Sequence, residues 1–153
     1  RSHFEDYKLS DKAVSPARTI TETDIVMFSA LTGDWTELHT NAEYMKQSIF
    51  GQRIAHGLLT LSIANGLAQR IPRRAPIDIV AFLGMDHVKF MNSPVFIGDT
   101  IHVELEVIEA RASQSHQDTG ILKFKNTVKN QNGQEVAKWE TAAMVNKKPK
   151  PTK

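Results

Sequence analysis

"IAHGLLTLSIANGLAQRIP", residues 54 to 72, has no acidic or basic side chain other than His56 before Arg70, and it closes at Pro72. Large residues (Ile54, Leu58, Leu59, Leu61, Ile63, Leu67) are interspersed with small ones (Ala55, Gly57, Ala64, Gly66, Ala68). A helix apolar nearly all round is expected to be buried on most sides. A membrane-spanning helix needs about 20 apolar residues. This run is shorter and contains Ser62, Asn65 and two glycines, so it belongs in a core rather than a bilayer. A glycine inside a helix costs about 1 kcal/mol against alanine. Gly57 and Gly66 therefore call for close approach by another group.

Downstream the period changes from helical to alternating. "TIHVELEVIEA" (100–110) sets Ile101, Val103, Leu105 and Val107 against His102, Glu104 and Glu106, and "ILKFKNTVK" (121–129) sets Leu122, Phe124 and Val128 against lysines. "QEVAKWETAAMV" (134–145) follows Asn132-Gly133, a strong hairpin signal. With "IDIVAFL" (77–83) and "HVKFM" (87–91), this predicts four or five consecutive antiparallel strands. One long helix followed by such a sheet is an α+β plan in which the sheet curls round the helix to bury it. At 153 residues a single domain is expected, placed at 13–146. A sheet curled round one helix leaves an open edge, and a homodimer, extended to a higher even-numbered oligomer where pairing repeats, is the expected cover.

Upstream, a short strand is expected around Ala13 to Ile20. "TETDIVMFSALTG" then reads as a helix capped by Thr21 with Asp24 three residues on, its apolar face formed by Ile25, Phe28 and Leu31 or by Met27 and Leu31, and stopped by Gly33. "NAEYMKQ" reads as a second short helix capped by Asn41, which makes Asp34 to Thr40 a connecting loop. That loop holds an acid, Asp34, and an imidazole, His39. Each also has a bland reading, as a turn residue and as a satisfied structural histidine. Gly57 adds context: if it lies in the first turn of the buried helix, its outward amide can stabilise an oxyanion, and the lack of a side chain lets a ligand come close.

Composition excludes several chemistries. There is no cysteine, hence no disulfide, thiolate nucleophile or Cys-bound metal. The six histidines show no ligand spacing, so no metal is expected, and nucleotide-binding and nucleophile-elbow motifs are absent. The net charge of +2 resides in "KKPKPTK" (147–153), whose four lysines leave residues 1–146 at −2. That ending is read as a basic disordered tail, with no nucleic-acid or membrane partner. Arg70, Arg73 and Arg74 complement the dipole at the far end of the helix rather than forming a ligand site. "RSHFEDYKLS" lacks an initiator Met and an apolar leader core. Residues 1–12 are set apart as an N-terminal segment, in part a trimmed or appended end, and a cytoplasmic location is the default.

"FSALTGDWTELHTNAEYMKQSIFGQRIAHGLLTLSIANGL" (28–67) resembles the hydratase motif of the MaoC-like family, the (R)-specific enoyl-CoA hydratases and related acyl dehydratases of the hot-dog fold. "VKFMNSPVFIGDTIHVELEV" (88–107) is similar to that family's strand, Pro-Val turn and Gly-Asp strand start, and the likeness spans roughly residues 14 to 146. The resemblance implies a hot-dog dimer, an acyl-CoA thioester as substrate, Asp34 and His39 as the catalytic pair sharing one water, and the Gly57 amide as the oxyanion donor. Coenzyme A or acyl carrier protein would enter as part of the substrate, with no other cofactor. Thr36 stands where the family usually has Asn, and Glu37 where it usually has Pro.

Four further residues keep two readings. His56 contacts the pantetheine or phosphate region, or fixes neighbouring loop carbonyls, the latter being favoured. Arg53 pairs with a CoA phosphate or is surface charge, Trp35 lines the acyl pocket or packs beside the loop, and Thr36, a substrate-binding or loop-ordering position, weakens the site or makes room for a bulkier or branched acyl group. The alternatives to a hydratase are a non-catalytic hot-dog acyl-CoA-binding or partner subunit, and a thioesterase. The last is disfavoured because residues 54–69 contain no Asp or Glu for the usual helix carboxylate.

Overall fold

A computed structural model describes residues 1–72 and 75–149. Arg73, Arg74 and residues 150–153, and with them part of the dipole and tail readings, lie outside the described residues. Thr21 accepts from the Asp24 amide and the Asp24 carboxylate accepts from the Thr21 amide, a reciprocal cap that opens helix α1, Glu22–Thr32. Gly33 ends it in the left-handed conformation, φ 77°. The buried side of α1 is Ile25 and Ser29 with Phe28 partly covered, whereas Met27 and Leu31 are exposed. The expected stripe through Leu31 is thus rotated by roughly one residue.

The expected Asp34–Thr40 loop is shorter than predicted, because Glu37–Thr40 closes a helical turn, α2, followed by α3, Ala42–Lys46, capped by Asn41. The long helix α4, Gly57–Gln69, begins three residues later than Ile54, which instead bridges to Phe96. Leu59, Thr60, Leu61, Ala64, Leu67 and Ala68 are buried. Leu58, Ser62, Gly66 and Gln69 form one open flank, and the rest of the helix is buried or half-buried, as expected of a helix covered on most sides.

Two short strands, β1 (Lys12–Val14) and β2 (Arg18–Thr19), precede four long ones: β3 (Ile79–Phe90), β4 (Thr100–Ala112), β5 (Thr119–Lys129) and β6 (Glu135–Asn146). The sheet order is β1-β4-β5-β6-β3, antiparallel throughout, with β2 also on β4. The runs at 77–83 and 87–91 are one strand, β3, whose alternation is interrupted by Gly84 (φ 154°), His87 (φ 53°) and shifts of register. Side chains of α4 meet Ile101, Val103, Val128, Ala137 and Trp139 on the inner face of the sheet. This is the hot-dog arrangement, an α+β fold with the sheet wrapped round one helix.

Past the end of α4 the same face is covered from the N-terminal side. Phe4 and Tyr7 pack on the cluster of Leu105, Val107, Leu122, Phe124 and Val145. Gly120 has no side chain because the Phe4 ring fills that place, 2.2 Å from where a Cβ would sit. The main chain of Ser2 exchanges hydrogen bonds with Pro76 and Asp78, and Lys148 reaches Glu5 and Asp6. Residues 1–12 are therefore packed on the sheet, and the basic tail is held at Lys147 and Lys148 before it leaves the described residues.

Candidate active site

Gly33 turns the chain out of α1 and delivers Asp34 at the surface. The Asp34 carboxylate accepts from the Thr36 hydroxyl at 2.5 Å and from the Thr36 amide at 3.1 Å, a local turn closed by the side chain. The hydroxyl bond first, then the amide bond, hold this carboxyl below the usual carboxylate range, with smaller help from His39 and His56. Thr36 thus makes contacts that order Asp34 without the Asn that the resemblance places there.

His39 comes from the single turn of α2 and is buried. Its Nδ1 lies 2.8 Å from the Ile54 carbonyl. A carbonyl only accepts, so Nδ1 carries the hydrogen and Nε2 is left with its lone pair when the ring is neutral. His56, the residue before α4, stacks on His39 with ring centroids 3.8 Å apart. Its Nε2 faces the Asp34 carbonyl and Ser29 Oγ, each at 3.2 Å, as expected of a histidine fixing loop carbonyls. One side-chain heteroatom each from Asp34, His39 and His56 lies within 4.8 Å of the others. They are the one such group among the described residues spaced to share a cation, but His39 Nδ1 and His56 Nε2 are already committed to protein oxygens.

Gly57 is the first residue of α4, so its N–H has no partner within the helix. The Phe90 ring lies 3.1 to 3.2 Å from the position a Cβ on Gly57 would take. The missing side chain thus admits Phe90, where open space for a ligand was expected. Gly57, His39, Thr60 and Phe90 line a cavity of about 550 Å³, closed further by Ile54 and Val136. A larger cavity of about 780 Å³, between Tyr7, Lys12 and Leu105, includes neither Asp34 nor His39.

Arg53 and Trp35 each had two readings from the sequence. Arg53 grips Glu22 through both terminal guanidinium nitrogens, which raises the Arg53 pKa and lowers that of Glu22, and it ties α1 to the stretch before α4. Trp35 is 54% exposed and is not among the residues lining the His39 cavity. Ser29, Thr60 and Phe90 were not singled out from sequence. Polar residues on the buried faces of two apolar helices were the available signal for the first two, whereas nothing in a strand sequence points to Phe90.

The MaoC-like domain model matches residues 9–130. Protein MaoC of Klebsiella aerogenes is 39% identical over 105 residues, 69% of this chain but 30% of that protein. An (R)-specific enoyl-CoA hydratase of Rhodospirillum rubrum is 37% identical over 106 residues, 69% of each chain. Among solved structures, one described as a monoamine oxidase regulatory protein from Archaeoglobus fulgius superposes with a TM-score of 0.85 at 38% identity, covering 97% of this chain and 96% of that one. With the family's model spanning β1 to β5 and its motif residues meeting in one place, the chain belongs to the MaoC-like domain family.

Proposed function

We infer that the protein is a hydro-lyase that reversibly hydrates a trans-2-enoyl thioester to the (R)-3-hydroxyacyl thioester. Coenzyme A is the carrier named for the Rhodospirillum relative, and acyl carrier protein is the second candidate. The observation that carries this reading is the Asp34–His39 pair. An exposed carboxylate held ionised stands within 4.8 Å of an imidazole whose free nitrogen is set by Ile54.

Hydration needs a base to activate water, a proton for C2 and a dipole for the thioester oxygen. Asp34 and His39 Nε2 hold one water through its two hydrogens. As its oxygen bonds to C3, one water proton passes to the pair and electron density moves onto the thioester oxygen, toward the Gly57 N–H. Collapse of this enolate takes the proton back at C2, so the water is fully consumed and the pair ends unchanged. Addition of both parts from one water is syn. The site needs no redox step.

The second copy enters through β3, a sheet edge exposing Val80, Phe82, Leu83, Val88 and Phe90. A homodimer joined there covers the edge and places more chain beside Phe90 and the cavity. No helix among the described residues is long and apolar enough to cross a membrane.

The test follows loss of enoyl-thioester absorbance over a panel of acyl chain lengths and both carriers. Turnover on at least one member supports the reading. Silence on all of them, with acyl-CoA binding retained, favours the non-catalytic subunit instead.

A further inference from the structure

His56 is 2% exposed, and the hydration chemistry uses neither of its nitrogens. Its ring packs against two others, His39 at 3.8 Å and 27° from parallel, and Phe28 at 4.9 Å and tilted by 55°. Nε2 meets the Asp34 carbonyl and Ser29 Oγ, both at 3.2 Å, while Nδ1 is buried with no partner.

Those contacts admit one protonation state. A carbonyl cannot donate, so the Asp34 contact is a hydrogen bond only when Nε2 carries the hydrogen. The other tautomer would set two lone pairs against each other and bury an unanswered N–H at Nδ1. The imidazolium would bury the same N–H and a charge besides. The neutral Nε2–H form therefore bonds the main chain of Asp34 while laying its ring against His39.

We propose that His56 is a positioning residue, a neutral Nε2–H imidazole that holds the Asp34 main chain and backs the His39 ring, and so sets the spacing of the pair. This rests on the reading of Asp34 and His39 as the proton-transfer site. The titratable groups facing His56 are His39 from α2 and Asp34 from the turn before it, while α1 presents uncharged Ser29 and Phe28. Burial lowers the His56 pKa most and His39 lowers it further, against upward pulls from the Asp34 carbonyl bond and carboxylate. Being depressed in the folded state, this group opposes folding as pH falls below the ordinary histidine value of about 6.5, and the opposition vanishes above it.

The experiment reads nitrogen-15 spectra of the histidine rings in the full protein, beside steady-state kinetics of His56→Ala and His56→Gln. The expected spectrum shows His56 as the Nε2–H tautomer, unchanged over about pH 5.5–7.5, where ordinary histidines titrate. His56→Ala should lower kcat about 10- to 100-fold with KM little altered, since small misplacement of reacting groups is costly. His56→Gln, which restores a donor near the Nε2 position, should recover part of that loss at equal thermal stability. An Nδ1–H or doubly protonated His56 in that range, or folded His56→Ala with wild-type kcat, overturns the proposal. Wild-type protein inactive on every enoyl thioester would remove the proton-transfer reading itself, whereas active wild-type protein with indifferent His56 variants removes this inference alone.

Discussion

Thr36 gives Asp34 two of its hydrogen bonds, and each favours the ionised carboxylate. A group whose folded pKa is depressed stays charged to lower pH than its unfolded value, so activity that needs ionised Asp34 persists until pH falls through that lowered value. Thr36→Val keeps the size and removes the hydroxyl donor. The expected outcome is an acid limb of the kcat profile displaced upward toward the ordinary carboxylate range, measured between about pH 3.5 and 7. Asp34→Asn and His39→Ala should each lower kcat by at least about 10²-fold, and the double variant should lose little more than the worse single one, because in the proposed reaction both act on one water. Multiplicative losses in that kinetic comparison would assign them separate steps. Asp34 was legible in the sequence because it follows the glycine that stops α1, and His39 because it precedes the Asn41 cap, whereas Gly57 was legible only on condition that it lay in the first turn of α4. The Ile54 carbonyl under His39 and the Ser29 hydroxyl beside His56 were not, since they come from 15 and 27 residues away and meet only through the fold.

Between α4 and β3, Gly57 and Phe90 share one space. A methyl group on Gly57 would press the Phe90 ring at 3.1 Å, closer than ordinary contact, while leaving the Gly57 N–H in place. Gly57→Ala should therefore lower kcat/KM by crowding, and Phe90→Ala in the same chain should return part of it. The coupling is read from a double-mutant cycle of kcat/KM. Additive effects would show that the ring does not occupy that space in solution. The apolar composition of α4 continues back through Ile54 to His56 and so predicts a start three residues early, whereas the backbone of Ile54 and Ala55 pairs with Leu38, Phe96 and Val95. Composition carries no mark of that change. Strand β3 looks like two runs in the sequence for a related reason, as Gly84 and His87 break the alternation without ending the pairing to β6.

For the whole molecule, the wrapped sheet was legible because one all-round apolar helix before several alternating runs has few other ways to be buried. The N-terminal cover was not, since Phe4 and Tyr7 show no periodicity and their partners lie beyond residue 100. The exposed apolar residues of β3 predict a dimer, and light scattering at micromolar concentration should give twice the chain mass. Introducing lysine at Phe82 and Leu83 should shift that mass toward the monomer. A fully active protein at the mass of one chain would remove β3 as the pairing edge. The hydration claim itself is tested most directly by incubating purified protein with a short trans-2-enoyl-CoA, following its absorbance, and determining the configuration of the product, with Asp34→Asn as the control. A shared-water hydratase gives loss of the enoyl absorbance, an (R)-3-hydroxyacyl-CoA product, and little turnover in the control. An (S) product, or equal turnover by Asp34→Asn, would contradict it.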